Sequence, residues 1–196
     1  NTLVRYFYIL FMSQIGKGKN EVELLRADIP EITEIPVIKF MEAKEILMKK
    51  FKYKPSDSDM KDFDPEEEQL LGKYAKKQFN SDFIFVTHYP SRKRPFYTMD
   101  DPDDPEYTLS FDLLFRGMEI TSGGQRVHDY FAQVEKMKRL GMNPDEFDTY
   151  LMLHKYGAPP HGGLGLGLER LTMHLLGFKN VREAAMFPRD INRVTP

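Results

Sequence analysis

Cysteine is absent from the 196 residues, which excludes disulfides, thiolate metal sites and cysteine nucleophiles and fits a reducing, cytoplasmic setting. Net charge is nearly absent as well: 28 basic and 30 acidic side chains leave a formal −2. No global field therefore draws the chain onto nucleic acid or anionic lipid. Long apolar runs are missing. The N-terminal LVRYFYILFM is interrupted by Arg5 and is shorter than the ~20 residues of a membrane span, so it reads as a buried element and no membrane partner is expected. The basic leader of a secretory signal is lacking, and the chain starts at Asn1, which points to a piece of something longer. Internal repeats and low-complexity segments are absent too. What remains is enough chain for one domain that buries roughly two-thirds of its unfolded surface.

Residues 2–15 read as a helix closed by GKGKN. IPVIKF suggests a short strand, and MEAKEILMKKF a helix with Ala43, Ile46 and Leu47 on one stripe. The polar stretch from Lys54 to Asp64 is loop. Asp64, Pro65 and Glu67 supply an N-cap, a first-turn proline and a capping-box acid, so a helix is predicted from 65 to about 79. DFIFVTHY reads as a buried strand, PSRKRP turns the chain and FYTM starts another strand. After the acidic, proline-broken DDPDDPEY, the runs TLSFDLLF and MEITS flank Arg116-Gly117 as a hairpin. Helices follow from about 129 to Gly141 and from the Asn143-Pro144 cap to near Gly157, and a glycine-rich strand then feeds the helix ERLTMHLLG. Strands close in sequence with a hairpin among them point to the α+β class, an antiparallel sheet flanked by helices.

If Arg116-Gly117 is a two-residue turn, Leu114 faces Glu119 and Asp112 faces Thr121. Phe111, Leu113, Phe115, Met118 and Ile120 then form a core face, while Asp112, Glu119 and Thr121 share the other with Leu114. As diagonal neighbours, Asp112 and Glu119 are close enough for both carboxylates to reach one divalent cation. Acids on the wet face of a half-buried sheet are the plainer account. TSGGQR shifts the balance: Ser122 brings a hydroxyl, Gly123 and Gly124 let a ligand approach the backbone, and Arg126 can grip a carboxylate in a bidentate fork.

In HGGLGLGLER, Gly163, Gly165 and Gly167 fall on one side at strand spacing, with Leu164, Leu166 and Leu168 on the other as anchors in the core. A flat ligand fits the bare side, although close backbone packing against another element explains such spacing too. The dinucleotide fingerprint would need glycine at 168, where Leu168 stands, and no Gly-Lys-Ser/Thr follows, so Rossmann and P-loop sites are excluded. Arg170 opens the next helix, whose N-terminus favours anions, and a guanidinium can stack on a base while its donors reach phosphate.

RPFYTM, FDLLFRGMEITSGGQRVHDY, KYGAPPHGG, GLGLGLER and MFPRDINRVTP, in this order and spacing, resemble blocks of the class II aminoacyl-tRNA synthetases, and among them the aspartyl enzymes of the archaeal and eukaryotic type. The resemblance runs from about residue 36 to the C-terminus and is most specific from 82 onward. RGMEITSGGQR and KYGAPPH favour the aspartyl over the asparaginyl enzymes.

The resemblance implies a class II catalytic core whose sheet holds bent ATP with Mg²⁺. Asp112, Glu119 and Ser122 would be metal ligands, Glu119 also touching ATP. Ser122, Gly123, Gly124 and Arg126 would bind L-aspartate, Arg126 through the side-chain carboxylate. Gly165, Gly167, Leu168, Glu169 and Arg170 would contact ATP, with Arg170 the catalytic residue that stacks on adenine near the phosphates. The implied reaction is activation of aspartate to aspartyl-adenylate and transfer to tRNA-Asp, with tRNA-Asn left open as a second acceptor. A homodimer is expected of the complete enzyme. The family's first two motifs and its anticodon-reading OB domain are not found, so residues 1–196 are expected to form the C-terminal part of the catalytic domain. By itself this part is expected to adenylate poorly and to expose an unpaired sheet edge prone to self-association.

His128, His154, His161 and His174 lack the spacing of a paired metal site such as H-E-x-x-H and read as structural, with His128 and His161 flanking the site. SRKR at 91–94 reads as a solvated loop ahead of an RNA contact. Beside the ligase stand an asparaginyl-tRNA synthetase, an asparagine-synthetase-like paralogue that passes activated aspartate to ammonia, and a non-catalytic module of the same fold. The last would be expected to have lost Asp112, Glu119, Arg126 or Arg170, and all four are present.

Overall fold

The computed structural model describes Ser13 and residues 16–30, 35–54 and 62–192. Apart from Ser13, the helix expected over 2–15 lies outside them, as does most of the loop after Lys54. Six helices are described: α1 (Lys19–Leu25), α2 (Phe40–Phe51), α3 (Pro65–Phe79), α4 (Tyr130–Arg139), α5 (Asp148–Lys155) and α6 (Leu168–Leu175). The strands are β1 (Val37–Lys39), β2 (Phe83–Thr87), β3 (Ser110–Phe115), β4 (Met118–Arg126) and β5 (His161–Leu166), which lie in that order across one sheet.

Three expectations need correcting. The sheet is mixed: β2, β3, β4 and β5 run antiparallel to their neighbours, but β1 lies parallel to β2. Both α2 and α3 intervene between those two strands, the long crossover that parallel pairing needs. GKGKN is not a simple break, because α1 starts inside it, directly after Gly18. FYTM forms no strand. Thr98 and Asp100 make single bridges to Arg126 and Thr108, and Pro95 and Pro102, which lack an amide donor, bracket the segment.

Helix α3 starts where its caps dictate. Asp64 Oδ1 accepts the Glu67 amide at 2.8 Å and Glu67 Oε2 accepts the Asp64 amide at 3.0 Å, the reciprocal capping box. Glu67 then turns inward, where its carboxylate takes the Lys44 ammonium at 2.7 Å with both side chains fully buried. This fastens α3 to α2. The two helices cover one face of the sheet, packing Phe40, Leu47 and Leu71 on Ile84, Val86 and Leu114. The opposite face packs Phe83, Phe85, Leu113, Phe115 and Ile120 against Leu171 of α6.

Arg116 and Gly117 form the two-residue turn between β3 and β4 with φ of 50° and 78°, the doubly left-handed geometry that matches strand twist. The arginine is held in it from outside: its guanidinium donates to the His174 carbonyl at 2.9 Å and pairs with Asp82 at 3.1 Å.

Candidate functional site

The register of β3 on β4 begins as expected, with Phe115 opposite Met118 and Leu114 opposite Glu119, and then shifts at a bulge between Leu113 and Leu114. Leu113 therefore faces Thr121, and Asp112 faces Ser122. This corrects the placement of Thr121 on the acidic face. One extra residue on β4 flips the parity of the strand beyond it, so Ser122 joins Asp112 and Glu119, and Thr121 is buried on the far side.

The bulge has a chemical result. Ser122 Oγ donates to Glu119 Oε1 at 2.5 Å, although three residues separate them. Glu119 also carries Arg170 against it: a guanidinium nitrogen donates to the Glu119 carbonyl at 2.8 Å and lies 4.0 Å from its carboxylate. Asp112 sits one strand over, nearly buried, with Oδ2 bound to Arg94 at 2.6 Å and Oδ1 without a partner. Burial pushes the Asp112 carboxyl above the usual range, and the Arg94 guanidinium offsets part of that.

β5 pairs with β4 so that Ser122 faces Gly165, Gly124 faces Gly163 and Arg126 faces His161. Directly opposed residues share a face. The glycine side of β5 thus adjoins the Ser122 side of β4, as the alternation required. The glycines differ in what they permit. At Gly163 a Cβ would stand 3.1 Å from the Arg126 guanidinium, which lies across the bare backbone, whereas at Gly165 it would meet nothing within 4 Å and at Gly167 only Arg170 carbons from 3.5 Å. Gly123 and Gly124 are needed for close strand packing: a Cβ would come within 2.8 Å of the Gly163 carbonyl oxygen and 2.9 Å of the Leu109 carbonyl oxygen, respectively.

A cavity of about 320 Å³ opens over this face, lined among others by Arg94, Tyr97, Ser122, Arg126, Gly163 and Gly165. Arg126 packs on the Tyr97 ring at 4.8 Å, and none of the ion pairs among the described residues uses its guanidinium. Arg94, read as part of a solvated loop, is instead half-buried, stacked on Tyr89 at 3.8 Å and paired with Asp112. Only its charge marked it in the sequence, since nothing local showed that Ser91–Lys93 would wind as a short 3₁₀ turn and send it inward.

Other expectations are redistributed. Leu164, Leu166 and Leu168 do not anchor β5 in the core; they are 55%, 44% and 64% exposed. β5 is an edge strand. Leu168 and Glu169 open α6 behind Gly167, whose amide donates to the Ile120 carbonyl at 2.8 Å. His161 begins β5 opposite Arg126, but His128 lines a different cavity with Asp100 and Lys136. His154 is structural, its Nε2 at 3.2 Å from the Val127 carbonyl.

An unpaired guanidinium, a hydroxyl–carboxylate pair and a side-chain-free ribbon ending at an arginine-bearing helix lie on one sheet face of an α+β core, an arrangement whose chemistry suits carboxylate and phosphate. The chain belongs to the class II tRNA synthetases of the D, K and N group: that family matches residues 7–191. It is 51% identical over 183 residues to the aspartate–tRNA(Asp/Asn) ligase of Thermus thermophilus, covering 93% of this chain and 42% of that protein. Against the aspartate–tRNA(Asp/Asn) ligase of Aeropyrum pernix it is 46% identical over 181 residues, 91% of this chain and 40% of the other. In structure it is similar to the aspartyl tRNA synthetase from Entamoeba histolytica, with a TM-score of 0.89 at 34% identity over 100% of this chain and 41% of that one. The asparaginyl-tRNA synthetase from Pyrococcus horikoshii complexed with asparaginyl-adenylate gives 0.78 at 34% identity, over 93% and 42%. The chain spans about two-fifths of the length of these proteins.

Proposed function

We propose that this chain carries the C-terminal part of the catalytic domain of an aspartate–tRNA ligase, where L-aspartate and ATP meet. The observation that carries the reading is Arg126, whose guanidinium lies over Gly163 with no carboxylate partner among the described residues. Gly163 is two residues from Gly165, the partner of Ser122, and two strand residues span roughly 7 Å. That is about one aspartate. With its side-chain carboxylate forked on Arg126, in the cavity that Arg94 also lines while paired with Asp112, the substrate's α-carboxylate points toward Ser122 and Glu119.

The proposed chemistry needs no protein nucleophile. An α-carboxylate oxygen attacks the α-phosphorus of ATP, the bond to the β-phosphate breaks, and pyrophosphate leaves. A ribose hydroxyl of tRNA then attacks the aspartyl carbonyl and AMP departs. Positioning and charge neutralisation supply the rate. Arg126 sets the amino acid, the open backbone from Gly165 to Gly167 admits the nucleotide, and Arg170 at the head of α6 faces its base and phosphates. The carboxylate of Glu119 and the hydroxyl of Ser122 are oxygen donors side by side, and would hold a Mg²⁺ ion brought in with ATP. Asp112 adds its unpaired oxygen, its charge being balanced by Arg94. When bound, the ion neutralises phosphate charge. The complete enzyme is proposed to be a homodimer that takes tRNA-Asp as acceptor.

The reading is tested by ATP–pyrophosphate exchange in the protein that carries this chain, with aspartate and asparagine compared, followed by labelled aspartate offered to tRNA-Asp, tRNA-Asn and ammonia. Aspartate-dependent exchange and aspartyl-tRNA as product are expected. Exchange driven by asparagine would make it an asparaginyl enzyme, and free asparagine as product would make it the ammonia-using paralogue.

A further inference from the structure

Helix α3 meets the β3–β4 turn backbone against backbone. A Cβ on Gly72 would sit 2.5 Å from the Gly117 nitrogen, and one on Gly117 would sit 2.8 Å from the Gln69 Cα. Glycine at both positions permits the approach. Glu68 lies four residues before Gly72, on the same face of the helix, and so reaches the start of β4. Its Oε2 accepts the Glu119 backbone N–H at 3.0 Å.

That amide has no other strand to serve. The pairing of β5 ends with Leu166 opposite Thr121, and Gly167 bonds to Ile120, so nothing of β5 reaches Glu119. In an antiparallel strand a residue's N–H and C=O point to the same neighbour. At Glu119 the place of that neighbour is filled by two side chains, the Glu68 carboxylate on the N–H and the Arg170 guanidinium on the C=O. The peptide is clamped where the bulge would otherwise leave it loose.

We infer that Glu68 is a positioning residue: by holding the Glu119 peptide beyond the end of β5, it fixes the direction in which the Glu119 carboxylate meets Ser122 and the magnesium nucleotide. The inference rests on the proposed role of Glu119. Glu68 itself is not among the residues that line the cavity. Burial, with the Glu119 carboxylate beside it, pushes the Glu68 carboxyl up to about 7, against the pull of the Glu119 N–H and Arg170. Either protonation state retains an oxygen that accepts the amide.

The test uses Glu68→Ala and Glu68→Gln in the protein that carries this chain. Glutamine keeps an acceptor oxygen at nearly the same reach and loses only the charge. Two readouts are taken: amide hydrogen exchange of the 118–122 segment without ligand, and the magnesium dependence of ATP–pyrophosphate exchange. For E68A, faster exchange in that segment is expected, with the half-saturating Mg²⁺ concentration raised about tenfold, the upper end of the net worth of one hydrogen bond, and the aspartate KM changed less than about twofold. E68Q restores both readouts to within about threefold of the parent. Equal behaviour of E68A and parent, or E68Q as impaired as E68A, overturns the inference. Should E68A unfold, Glu68→Met, which keeps the stem but no acceptor, takes its place with the same expectations. A protein with no aspartate-dependent exchange at all refutes the proposed function, and the hydrogen-exchange arm still decides the clamp.

Discussion

Ser122 and Glu119 stand three residues apart on one strand, yet the hydroxyl of the first donates to the carboxylate of the second at 2.5 Å. In an unbroken strand they would point to opposite faces. The bulge between Leu113 and Leu114 reverses the parity and makes the pair. If this pair receives the magnesium nucleotide, Ser122→Ala removes one donor and leaves the fold, and kcat/KM for MgATP is expected to fall about tenfold. Glu119→Gln removes the charge as well and is expected to lose about a hundredfold, in line with hydrogen bonds to charged groups at ~1.5–3 kcal/mol. Thermal melts unchanged beside exchange kinetics check the assignment; equal activity of S122A and parent sinks it.

Gly163 and Gly165 read alike in the sequence but differ in what lies above them. A methyl at 163 would press on the Arg126 guanidinium at 3.1–3.4 Å, while one at 165 would enter open space. Gly163→Ala is therefore expected to raise the aspartate KM several-fold with the ATP KM little changed. Gly165→Ala should do the reverse if the nucleotide lies along Gly165–Gly167 as proposed, because its methyl enters that open space. The two KM values, measured separately, separate a carboxylate end of the cavity from a nucleotide end.

The sequence made the faces of the hairpin legible only as far as the bulge. Alternation correctly paired Leu114 with Glu119 and grouped Phe111, Leu113 and Phe115, but a bulge inserts a residue with no local signature, and Thr121 and Ser122 exchanged places. The helix at Pro65 was legible to the residue because Asp64 and Glu67 satisfy each other's amides and need nothing distant. Arg94 and Glu68 were not legible. Each is one charge among several, and its role depends on a partner far along the chain, Asp112 for one and the Glu119 amide for the other. The leucines of β5 misled for the opposite reason: alternation says that two faces differ, not that either is covered.

If ATP lies along Gly165–Gly167 as proposed, its far side meets none of the described strands. Leu168 and Arg170 are exposed at the rim of the site, and the outer edge of β5 pairs with no described strand. The isolated 196 residues are therefore expected to catalyse aspartate-dependent pyrophosphate exchange at least about a hundredfold more slowly than the proteins they resemble, since losing ~3 kcal/mol of transition-state contact costs that much. Exchange at a comparable rate would show that the pocket is complete without a second wall.

His174 ties stability to pH. Its Nε2 is buried without a partner, its ring meets Phe115 edge-on at 5.5 Å, and burial together with the nearby Arg116 guanidinium lowers its pKa below 6.5. The folded chain keeps this ring neutral while the unfolded chain protonates it. Below about pH 6.5 the unfolded state thus binds more protons, so stability is fully present above that pH and declines as the pH falls toward the folded-state value. Urea melts of the parent and of His174→Phe at pH 7.5 and 5.5 check this: the variant should lose less stability over that interval. An identical loss in both assigns the acid sensitivity elsewhere.

The Lys44–Glu67 pair offers the sharpest separation of charge from packing. Both side chains are fully buried at 2.7 Å, and the lysine also donates to the Asp62 carbonyl at 2.6 Å. Replacing Lys44 by Met keeps the stem but leaves the Glu67 carboxylate without its cation, and a broken buried pair costs about 3–5 kcal/mol. Replacing both, Lys44→Met with Glu67→Leu, removes the stranded charge but also the half of the capping box that Glu67 gives to Asp64, worth about 1 kcal/mol. The double variant is therefore expected to be more stable than the single one by roughly 2 kcal/mol or more in urea melts. A double variant no better than K44M would mean that α2 and α3 are joined by the ion pair itself rather than by the apolar surface around it.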